Sequence, residues 1–575
     1  MAEGKGMDAA TASVSRRAFV EGAVAAAASA GVATVACQAQ AHAAQGSSEA
    51  DDKDFSSATS ADETVWGDAP RPVDDFDFAE TLDADVVVVG AGTAGIPAAA
   101  SAAQSGARVI VLEKMAAAFG IRTYVGAIGS SLQREKGVEI DEQQAVQELL
   151  RYSSYRADAS LIRLWAENSG EAIDWYSDIL QRGGMHPWLE TDINEGGLFK
   201  EYSTCHMFYD EPGGSTDGTQ VMLDKLDELG VEVRYSTPMV QLIQDDSGRV
   251  TGVVASDEDG RYLRVNASKG VVLATGGYAA NTEMLKALNE KDILNCVMSY
   301  CDPGATGDGI RAAHWAGAQM DLTHTAMFFE RAATMPGSDG GDWTTPTLWW
   351  MGSQPFLQVN RHGERFANES LPYDYDLHQD ANQPGHVFVQ VFDSNWADDV
   401  AAFHTIGCSR IVTEEQQQNG YEPVSWTPEK IEAATMEPAL QGGQLQQADT
   451  IAELAEKMGM DPDTLQATID RYNELCDAGS DDDFWKESYR MRPVRQAPFY
   501  AVTVGGQLLC TMDGVWIDTK LRVLDGEGRP VEGLYAVGND SGRYFSDCYP
   551  ELFVGAACGR SITFGYLVGK ELAEA

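Results

Sequence analysis

The sequence has little positive charge. Its 41 Lys and Arg residues are outnumbered by 88 Asp and Glu residues, which gives a formal net charge of −47 over 575 residues. Affinity for nucleic acid or for an anionic lipid surface comes from Lys and Arg side chains that neutralise phosphates. The composition therefore argues against both as partners. A chain of this length has room for two or three domains and a large core.

The cysteines lack the spacing of common metal and haem sites. None of the nine forms a C-x-x-C pair or a C-x-x-C-H motif. This argues against a zinc ribbon, a thioredoxin-like site and an attached c-type haem, and we expect no metal. The chain also lacks an apolar run long enough for a transmembrane helix in the mature protein.

The N-terminus has the pattern of an export signal. SRRAFV (15–20) precedes the apolar run GAVAAAASAGVATVA, and AHA (41–43) offers a cleavage site. Such a pattern is typical of a signal peptide, and paired arginines are typical of the twin-arginine (Tat) route. We predict a Tat signal peptide at 1–43 and an exported, periplasmic or extracytoplasmic protein. A Sec signal with incidental arginines and lipidation at Cys37 remain alternatives. Residues 44–80, rich in Ser, Asp, Glu and Ala, predict a disordered acidic linker.

A dinucleotide-binding motif follows the linker. The stretch DADVVVVGAGTAGIPAAASAAQSGARVIVLEK predicts a buried strand at 86–89, a glycine turn, a helix to about residue 104, a second buried strand at 109–112, and then the acid Glu113. Gly90 allows a tight turn, Gly92 lets the backbone approach a pyrophosphate, and Gly95 permits close packing of helix on strand. Glu113 can accept hydrogen bonds from ribose hydroxyls, which favours FAD or NAD over NADP.

Later segments favour FAD and a divided cofactor domain. GVVLATGG (270–277) predicts another buried strand that ends in a small-residue turn, and TGDG (306–309) precedes a helix at 310–316. GLYAVGND (533–540) places Asp540 and the Gly538 backbone at a strand end. The cofactor domain is therefore assembled from both ends of the chain.

The stretch ERFANESLPYDYD (364–376) contains two tyrosines that are candidates for proton transfer. Pro372 fixes its own backbone and pushes Leu371 toward an extended conformation. We expect a turn or loop here, not a helix.

Together the motifs resemble the FAD-dependent fumarate reductase/succinate dehydrogenase flavoprotein superfamily. The similarity is to its soluble branch, with flavocytochrome fumarate reductases, urocanate reductases and 3-ketosteroid dehydrogenases. It covers nearly everything from about residue 83 onward and rests on the glycine turn, LATGG, TGDGI, VNRHGERFANE, DTIAELAEKMGMDPDTLQATIDRYN, DDDFWK, PFYAV, GLYAVGND and GRSITFGYLVGKELA.

The resemblance implies an α/β fold in which a Rossmann-type FAD-binding domain is interrupted by an α+β capping domain. The expected FAD-binding parts are 81–322 and 500–575, and the expected cap is 323–499. FAD is expected to be non-covalently bound. The residues expected to bind it are Gly90, Gly92, Ala94, Gly95, Glu113, Lys114, Gly120, Thr123, Gly126, Val240, Ala274, Thr275, Gly276, Asp308, Gly538, Asn539, Asp540 and Ile562.

The family's reaction passes a hydride between flavin N5 and a carbon next to an electron-withdrawing group, while a side chain handles the proton. Such a site needs donors at the developing negative charge and an acid near the adjacent carbon. Where fumarate reductases carry an arginine acid, this chain has Tyr373, and in this it resembles the urocanate-reducing members, which look like tyrosine users at that place. Tyrosine is protonated at neutral pH. Tyr375 is the alternative donor.

The family's carboxylate clamp is replaced by aromatic and apolar residues. Cys510 stands where fumarate reductases have a histidine, and Leu552 stands near their clamp arginine. The cap histidine falls around Phe328 and Phe329, and the acid and arginine of the proton path fall near Trp349, Trp350 and Gly352. A dicarboxylate could not be desolvated cheaply there, whereas a flat apolar substrate could be. The alternative is that these aromatic residues are ordinary cap core.

Three further residues bear on the substrate. Tyr549, in CYPEL, resembles the Tyr-Pro segment with which ketosteroid dehydrogenases bind a ketone oxygen, so it is a second candidate catalytic tyrosine. Arg410 and Arg543 remain as candidates to hold one carboxylate. With either of them, a mono-acid such as an aryl acrylate becomes a plausible substrate.

We therefore predict an exported FAD-dependent reductase of an activated C=C bond in an apolar or aromatic α,β-unsaturated carbonyl or acid substrate. The alternatives are a 3-ketosteroid-type dehydrogenase that runs the reverse reaction, a urocanate- or fumarate-type respiratory reductase, and a flavin-binding protein without catalysis. Because residues before 80 leave no room for a haem or FMN domain, we expect a separate membrane-associated cytochrome or flavoprotein as electron donor.

Overall fold

The structure is a computed structural model that describes residues 63–68, 70–194, 196–423 and 425–574. The predicted signal peptide and Cys37 lie outside these residues. The predicted disorder of 44–80 is wrong for its described part, which contains two 3-10 turns and the start of a strand at Phe78. Aromatic contacts order this part: Trp66 stacks on His314 with ring centroids 4.3 Å apart, and Phe76 meets Tyr262 edge-on at 4.8 Å.

The described residues form three sheets. Their strands are β1 (Phe78–Val89), β2 (Val109–Leu112), β3 (Val125–Gly126), β4 (His186–Leu189), β5 (Cys205–Tyr209), β6 (Glu232–Arg234), β7 (Met239–Gln244), β8 (Val250–Ser256), β9 (Tyr262–Leu273), β10 (Cys296–Ser299), β11 (Ala326–Thr334), β12 (Thr347–Leu348), β13 (Leu357–Val359), β14 (Phe388–Phe392), β15 (Leu445–Ala448), β16 (Phe499–Thr511), β17 (Arg522–Leu524) and β18 (Pro530–Ala536).

The helices are distributed along the whole described chain. They are α1 (Gly95–Gln104), α2 (Ser131–Lys136), α3 (Glu142–Tyr152), α4 (Ala159–Arg182), α5 (Thr219–Glu228), α6 (Thr282–Leu288), α7 (Glu290–Ile293), α8 (Asp308–Trp315), α9 (Tyr373–Asp380), α10 (Trp396–Ala402), α11 (Glu414–Gln418), α12 (Pro428–Ile431), α13 (Glu437–Gly442), α14 (Ile451–Met458), α15 (Pro462–Ala478) and α16 (Ala556–Glu574). None of the described helices is both long and apolar enough to cross a membrane.

The first sheet is the dinucleotide-binding sheet predicted from the sequence. Its parallel strands lie in the order β18-β9-β1-β2-β6, and β17 is antiparallel at one edge. Strand β8 pairs antiparallel with β9, and β7 pairs antiparallel with β8. The last four residues of β1 are fully buried, as a strand covered on both faces requires. The predicted order of strand, glycine turn, helix and strand is confirmed for β1, α1 and β2.

The second sheet is built around β16. This long strand pairs antiparallel with β11, β14 and β15 and parallel with β10. Residues of its strands contribute to two hydrophobic clusters. One surrounds Trp349 and Phe392, and the other surrounds Leu454 and Tyr472. Strand β10 and most of β16 lie outside 323–499, the range predicted for the cap. The limits of the cap at residues 323 and 499 therefore stay predictions.

The loop predicted at 364–376 ends in a helix. Pro372 is the N-cap of α9, which begins at Tyr373. The expectation of a loop is wrong for Tyr373 to Asp376, because proline blocks a helix only before itself and is well tolerated at its start. The helix packs against β11, which buries Tyr373, while Tyr375 is half-buried.

Candidate active site

The site begins where four parallel strands end at one edge of the first sheet. Gly90 follows β1, Glu113 follows β2, Ala274 follows β9, and Gly538 lies two residues beyond β18. All four residues line one large cavity. Ligands of open parallel sheets bind at this edge, beyond the carboxyl ends of the strands.

The glycine turn leaves space for a phosphate group. Gly90 has φ +105°, and a Cβ there would lie 2.2 Å from the Ala274 carbonyl oxygen. A Cβ on Gly95 would lie 1.9 Å from the Gly90 carbonyl oxygen, so turn and helix are in contact through bare backbone. A Cβ on Gly92, by contrast, would have no neighbouring atom within 4 Å. This open backbone at the start of α1 fits the pyrophosphate of a dinucleotide.

Glu113 and Lys114 form the wall beyond the glycine turn. The Glu113 carboxylate accepts hydrogen bonds from the backbone N–H groups of Ala91 at 2.8 Å and Met115 at 2.7 Å. Burial raises the pKa of Glu113 despite these bonds. Each oxygen retains acceptor capacity for a ribose hydroxyl. Lys114 is held by Asp308, with Nζ 2.7 Å from Oδ2.

Asp540 shapes the cavity without lining it. Its carboxylate accepts hydrogen bonds from the backbone N–H and hydroxyl of Thr275 and from the backbone N–H of Gly277. These bonds fix the turn after β9, and the side chain is wholly buried. Asp540 therefore holds the residues of the cavity wall in place. This indirect role corrects the direct cofactor contact that was expected from the sequence.

Most of the predicted cofactor residues meet at this cavity. Those on its wall are Gly90, Gly92, Ala94, Glu113, Lys114, Thr123, Ala274, Thr275, Gly276, Asp308, Gly538 and Asn539. Those off the wall are Gly95, Gly120, Gly126, Val240, Asp540 and Ile562.

Each displaced residue has a local cause. Val240 is 38% exposed, and its neighbour Met239 lines the cavity instead, because successive side chains of a strand face opposite sides. Gly126 packs against backbone atoms of residues 554–556. Ile562 is buried inside α16, and Gly120 is half-buried between the wall residues Phe119 and Arg122.

Two tyrosines face the cavity at its other end. Tyr373 and Tyr549 lie nearly parallel, with ring centroids 6.0 Å apart, and Phe329 meets Tyr373 at 4.8 Å. Tyr375 is not on the wall; it stacks on Tyr152 with centroids 5.5 Å apart. The geometry therefore separates the two tyrosines of α9.

The first turn of α9 fixes both cavity tyrosines. The backbone N–H of Tyr373 donates to the Glu551 carboxylate at 2.7 Å, and the backbone N–H of Tyr549 donates to Asp374. Glu551 satisfies one of the orphan amide groups at the N-terminus of α9, and Asp374, in the first turn of the helix, satisfies the amide of Tyr549. Helix α9 and the segment 549–551 are thus fastened to each other at two points.

Strand β11 supplies a third side of the cavity through alternate residues. Met327, Phe329 and Arg331 line it, while Phe328 and Glu330 do not. The expected substrate contact of Phe328 is therefore corrected, since its side chain points into the core on the other face of the strand. Arg331 was missed in the sequence, although the alternation that selects Phe329 also selects it.

Of the two cap tryptophans, one reaches the cavity. Trp350 lines it and donates its indole N–H to the Cys408 carbonyl oxygen at 3.1 Å. Trp349 is wholly buried in the cap core and donates to Gln390 at 2.9 Å. The alternative of ordinary cap core thus holds for Trp349.

The arginines expected to hold a carboxylate lie elsewhere. Arg410 is buried in an ion cluster with Glu190 and Glu422, at 3.3 Å from each. Arg543 pairs with Asp158 at 2.7 Å. Neither lines the cavity, whereas Cys510 does.

A small second cavity adjoins the first. It has a volume of about 50 Å³ and is lined by Glu201, Arg490 and Leu552, so the expected substrate contact of Leu552 is moved to this cavity. Ile406, Ser409 and Glu551 line both cavities. Burial raises the pKa of Glu551 to about 7, which makes it a titratable group between the two spaces.

Comparison with known proteins agrees with this site. The family described as "FAD binding domain" matches residues 85–550. A vinyl phenol reductase of Lactiplantibacillus plantarum is 30% identical over 499 residues, covering 85% of this chain and 96% of that protein. A urocanate reductase of Eggerthella lenta is 28% identical over 474 residues, covering 80% and 70%. The open conformation of a flavocytochrome c3 fumarate reductase has a TM-score of 0.60 at 25% identity, covering 86% and 79%.

The predicted fold and the predicted cofactor, FAD, are confirmed by these matches together with the glycine turn. The chain belongs to the FAD-binding-domain family, and it is an FAD-dependent oxidoreductase of the fumarate reductase type that acts on C=C bonds.

Proposed function

We propose that this enzyme reduces the activated C=C bond of an apolar or aromatic α,β-unsaturated carbonyl compound or acid, with Tyr373 as proton donor. The observation that carries the proposal is the cavity end formed by Tyr373, Tyr549, Phe329 and Trp350. Aromatic side chains of this kind bind flat apolar molecules, and phenol hydroxyls supply the few polar contacts that orient them.

The reaction needs a hydride, a proton and stabilisation of developing negative charge. FAD, when bound, supplies the hydride. Burial raises the pKa of Tyr373 well above its usual value, so its hydroxyl holds a proton at neutral pH and releases it only to a strongly basic carbon. Tyr549, also protonated for the same reason, donates a hydrogen bond to the substrate carbonyl oxygen as charge develops there.

In this proposal Glu551 returns protons to the cavity after each turnover. It lines both the main cavity and the small second cavity, and its contact with Tyr373 is through the backbone N–H of that residue. A group with a pKa near the working pH exchanges protons in both directions.

A panel of acceptors tests the function. The holoenzyme is reduced chemically, and flavin reoxidation is followed with fumarate, urocanate, cinnamate, 4-vinylphenol, an aryl enone and a 3-ketosteroid enone. We expect an aromatic acceptor to react fastest. Fast reoxidation by fumarate alone would contradict the proposal. Reoxidation by none of them, with flavin reduction by a saturated 3-ketosteroid, would favour the reverse, dehydrogenase reaction.

The electron donor and the location are parts of the same proposal. We propose an exported enzyme that receives electrons from a separate membrane-associated protein, and the paired arginines at 16 and 17 support this. Efficient turnover of the purified protein with a nicotinamide donor alone would argue against a separate donor protein. Retention of a fusion reporter in the cytoplasm would argue against export.

A further inference from the structure

Arg331 is a buried cation on the cavity wall without an acidic partner. Arg331 is 2% exposed, and among the described residues its guanidinium group donates to neutral side chains and forms no ion pair. Two other buried cations are paired with an acid: Arg365 lies 2.8 Å from Glu369, and Lys486 lies 3.3 Å from the same acid. Arg560, which is also buried, donates instead to the backbone carbonyl oxygens of Ser541 and Gly538. Buried charges are normally paired, because removing an ion from water is costly.

Neutral partners hold the Arg331 guanidinium in place. Nε donates to Ser353 at 3.0 Å, one terminal nitrogen donates to the Cys408 sulfur at 3.3 Å, and the other donates to Ser409 at 2.8 Å. An arginine has five N–H donors, so two remain for another acceptor. The guanidinium carbon lies 4.3 Å from the Phe329 ring centroid and 4.1 Å from that of Trp350. The plane of the donor fork is thereby fixed between two rings.

The nearest acids reach Arg331 only indirectly. Ser353, which accepts from Arg331 Nε, donates to the Glu330 carboxylate at 3.1 Å. Burial raises the pKa of Glu330 well above its usual value and that of Glu551 to about 7, and the charge of Arg331 opposes both shifts. Neither acid contacts the guanidinium group, so its remaining donors are open to an anion that enters the cavity.

We infer that Arg331 binds the single carboxylate of the substrate, which makes the substrate class an arylacrylate or a similar apolar enoic mono-acid. The inference rests on the proposed function and narrows its substrate. A guanidinium with two free donors matches the two oxygens of a carboxylate.

The order of residues along β11 agrees with this class. Met327, Phe329 and Arg331 face the cavity in sequence, and at about 3.3 Å per residue they cover roughly 13 Å of wall. The wall is therefore cationic at one end, aromatic in the middle beside Tyr373, and apolar at the other end. An arylacrylate has the same order of carboxylate, C=C bond and ring.

Strand β11 offers a dicarboxylate one cation. Beyond Arg331 it presents Phe329 and Met327 to the cavity, where an unpaired carboxylate is costly to desolvate. The second arginine on the cavity wall, Arg122, has its guanidinium group over the rings of Phe119 and Tyr300.

Binding of unreactive ligands tests the inference. 3-Phenylpropanoate and its amide, 3-phenylpropanamide, differ in charge and scarcely in shape. Titrated into the oxidised holoenzyme and followed by flavin absorbance, the acid should bind roughly tenfold to hundredfold more tightly than the amide, the usual range for a hydrogen-bonded ionic contact. Equal binding by the wild-type enzyme would overturn the inference.

Variants assign the preference to Arg331. In Arg331→Met the preference for the acid should vanish, in Arg331→Lys part of it should remain, and in Arg163→Met, a change of an exposed arginine paired with Glu167, it should be unchanged. A preference that survives Arg331→Met would overturn the inference. If Arg331→Met fails to retain FAD, the inference is tested by the affinities of the wild-type enzyme and of Arg331→Lys for the acid and the amide.

The two proposals fail in different ways. If no acceptor reoxidises the reduced flavin, the proposed reaction is wrong. The ratio of the affinities for 3-phenylpropanoate and its amide still tests whether Arg331 binds a carboxylate. If cinnamate and cinnamamide reoxidise it with equal kcat/KM, the reaction stands and the carboxylate contact is wrong.

Discussion

At the scale of single residues, the two tyrosines of α9 have different surroundings. Tyr373 faces the cavity and Tyr549, whereas Tyr375 packs on Tyr152 outside the wall. Two residues that are two positions apart in a helix point to different faces of it. This difference makes Tyr375 a matched control for the role proposed for Tyr373.

Tyr373→Phe should retain FAD and lose turnover. The change removes one hydroxyl and keeps the ring contacts with Phe329 and Tyr549, and loss of a general acid slows reactions by about a hundredfold or more. Steady-state kcat with the fastest acceptor measures the effect, and Tyr375→Phe should leave kcat nearly unchanged. An unchanged kcat in Tyr373→Phe, or equal losses in both variants, would contradict a specific role for the Tyr373 hydroxyl.

Glu551 predicts how the rate depends on pH. Its proton is the one returned to the cavity after each turnover, and its protonated fraction falls as the pH rises through about 7. The kcat of the wild-type enzyme should therefore decline on the alkaline side of about pH 7. Glu551→Gln keeps an acceptor for the Tyr373 N–H but cannot relay a proton, so kcat should be lower and this alkaline decline should be absent. A decline that persists in Glu551→Gln has another origin.

At the scale of elements, α9 carries an unusual set of buried acids. Asp376 and Asp380 lie beside Glu330 of β11, and among the described residues neither oxygen of Asp380 has a hydrogen-bond partner. Burial raises the pKa of Asp380 well above its usual value, and the neighbouring acids raise it further. The folded protein thus binds protons here that the unfolded chain releases.

Asp380→Asn should stabilise the protein more at pH 8 than at pH 5. A carboxyl whose pKa is raised by folding makes the free energy of unfolding fall as the pH increases above the unfolded value, and the amide lacks this dependence. We expect a gain of roughly 1–3 kcal/mol at pH 8, the scale of an unsatisfied buried polar group. Urea unfolding at both pH values measures it, with the exposed Asp470→Asn as control. A gain that is the same at both pH values would show that Asp380 does not titrate in this range.

The elements could be predicted where a local pattern decides them. The run of valines before Gly90 and the acid after residue 112 indicate two parallel strands and their cofactor edge, because buried strands and phosphate turns have strong local signatures. Helix α9 has no such signature, because a proline disfavours helix before itself and is compatible with either a loop or a helix start after it. Arg331 has none either, because its place on the cavity wall depends on which face of β11 is turned to the cavity.

At the scale of the whole molecule, FAD joins distant parts of the chain. The cavity wall combines residues 89–124, 274–308 and 538–561. A ligand that binds only the folded protein stabilises it by an amount that grows with the logarithm of its concentration. The cofactor therefore contributes to holding both ends of the chain in one domain.

Removal of FAD should lower Tm, and added FAD should restore it. At a free concentration about a hundred times Kd the expected stabilisation is about 2.7 kcal/mol. Differential scanning calorimetry of apo and reconstituted protein measures it, with free riboflavin as a control that lacks the adenosine and pyrophosphate contacts. An unchanged Tm would mean that the domain is held together without the cofactor.

The predicted substrate residues that lie away from the main cavity are also explained at the scale of the whole molecule. Arg410, Trp349 and Leu552 were assigned to the substrate from their sequence positions, but their places depend on contacts between segments far apart in the chain, such as Arg410 with Glu190. No local pattern reports such contacts. The cofactor wall was predictable because it is made of turns that are local in sequence.

The long strand β16 has a mechanical consequence. Its first half pairs with β14 and β15, which lie within the predicted cap 323–499, and its last residues, including Gln507 and Cys510, line the cavity. One uninterrupted strand thus connects these two places. Any movement of β14 and β15 away from the cavity would have to bend β16 or shift the cavity wall with it, so the stiffness of β16 opposes such an opening.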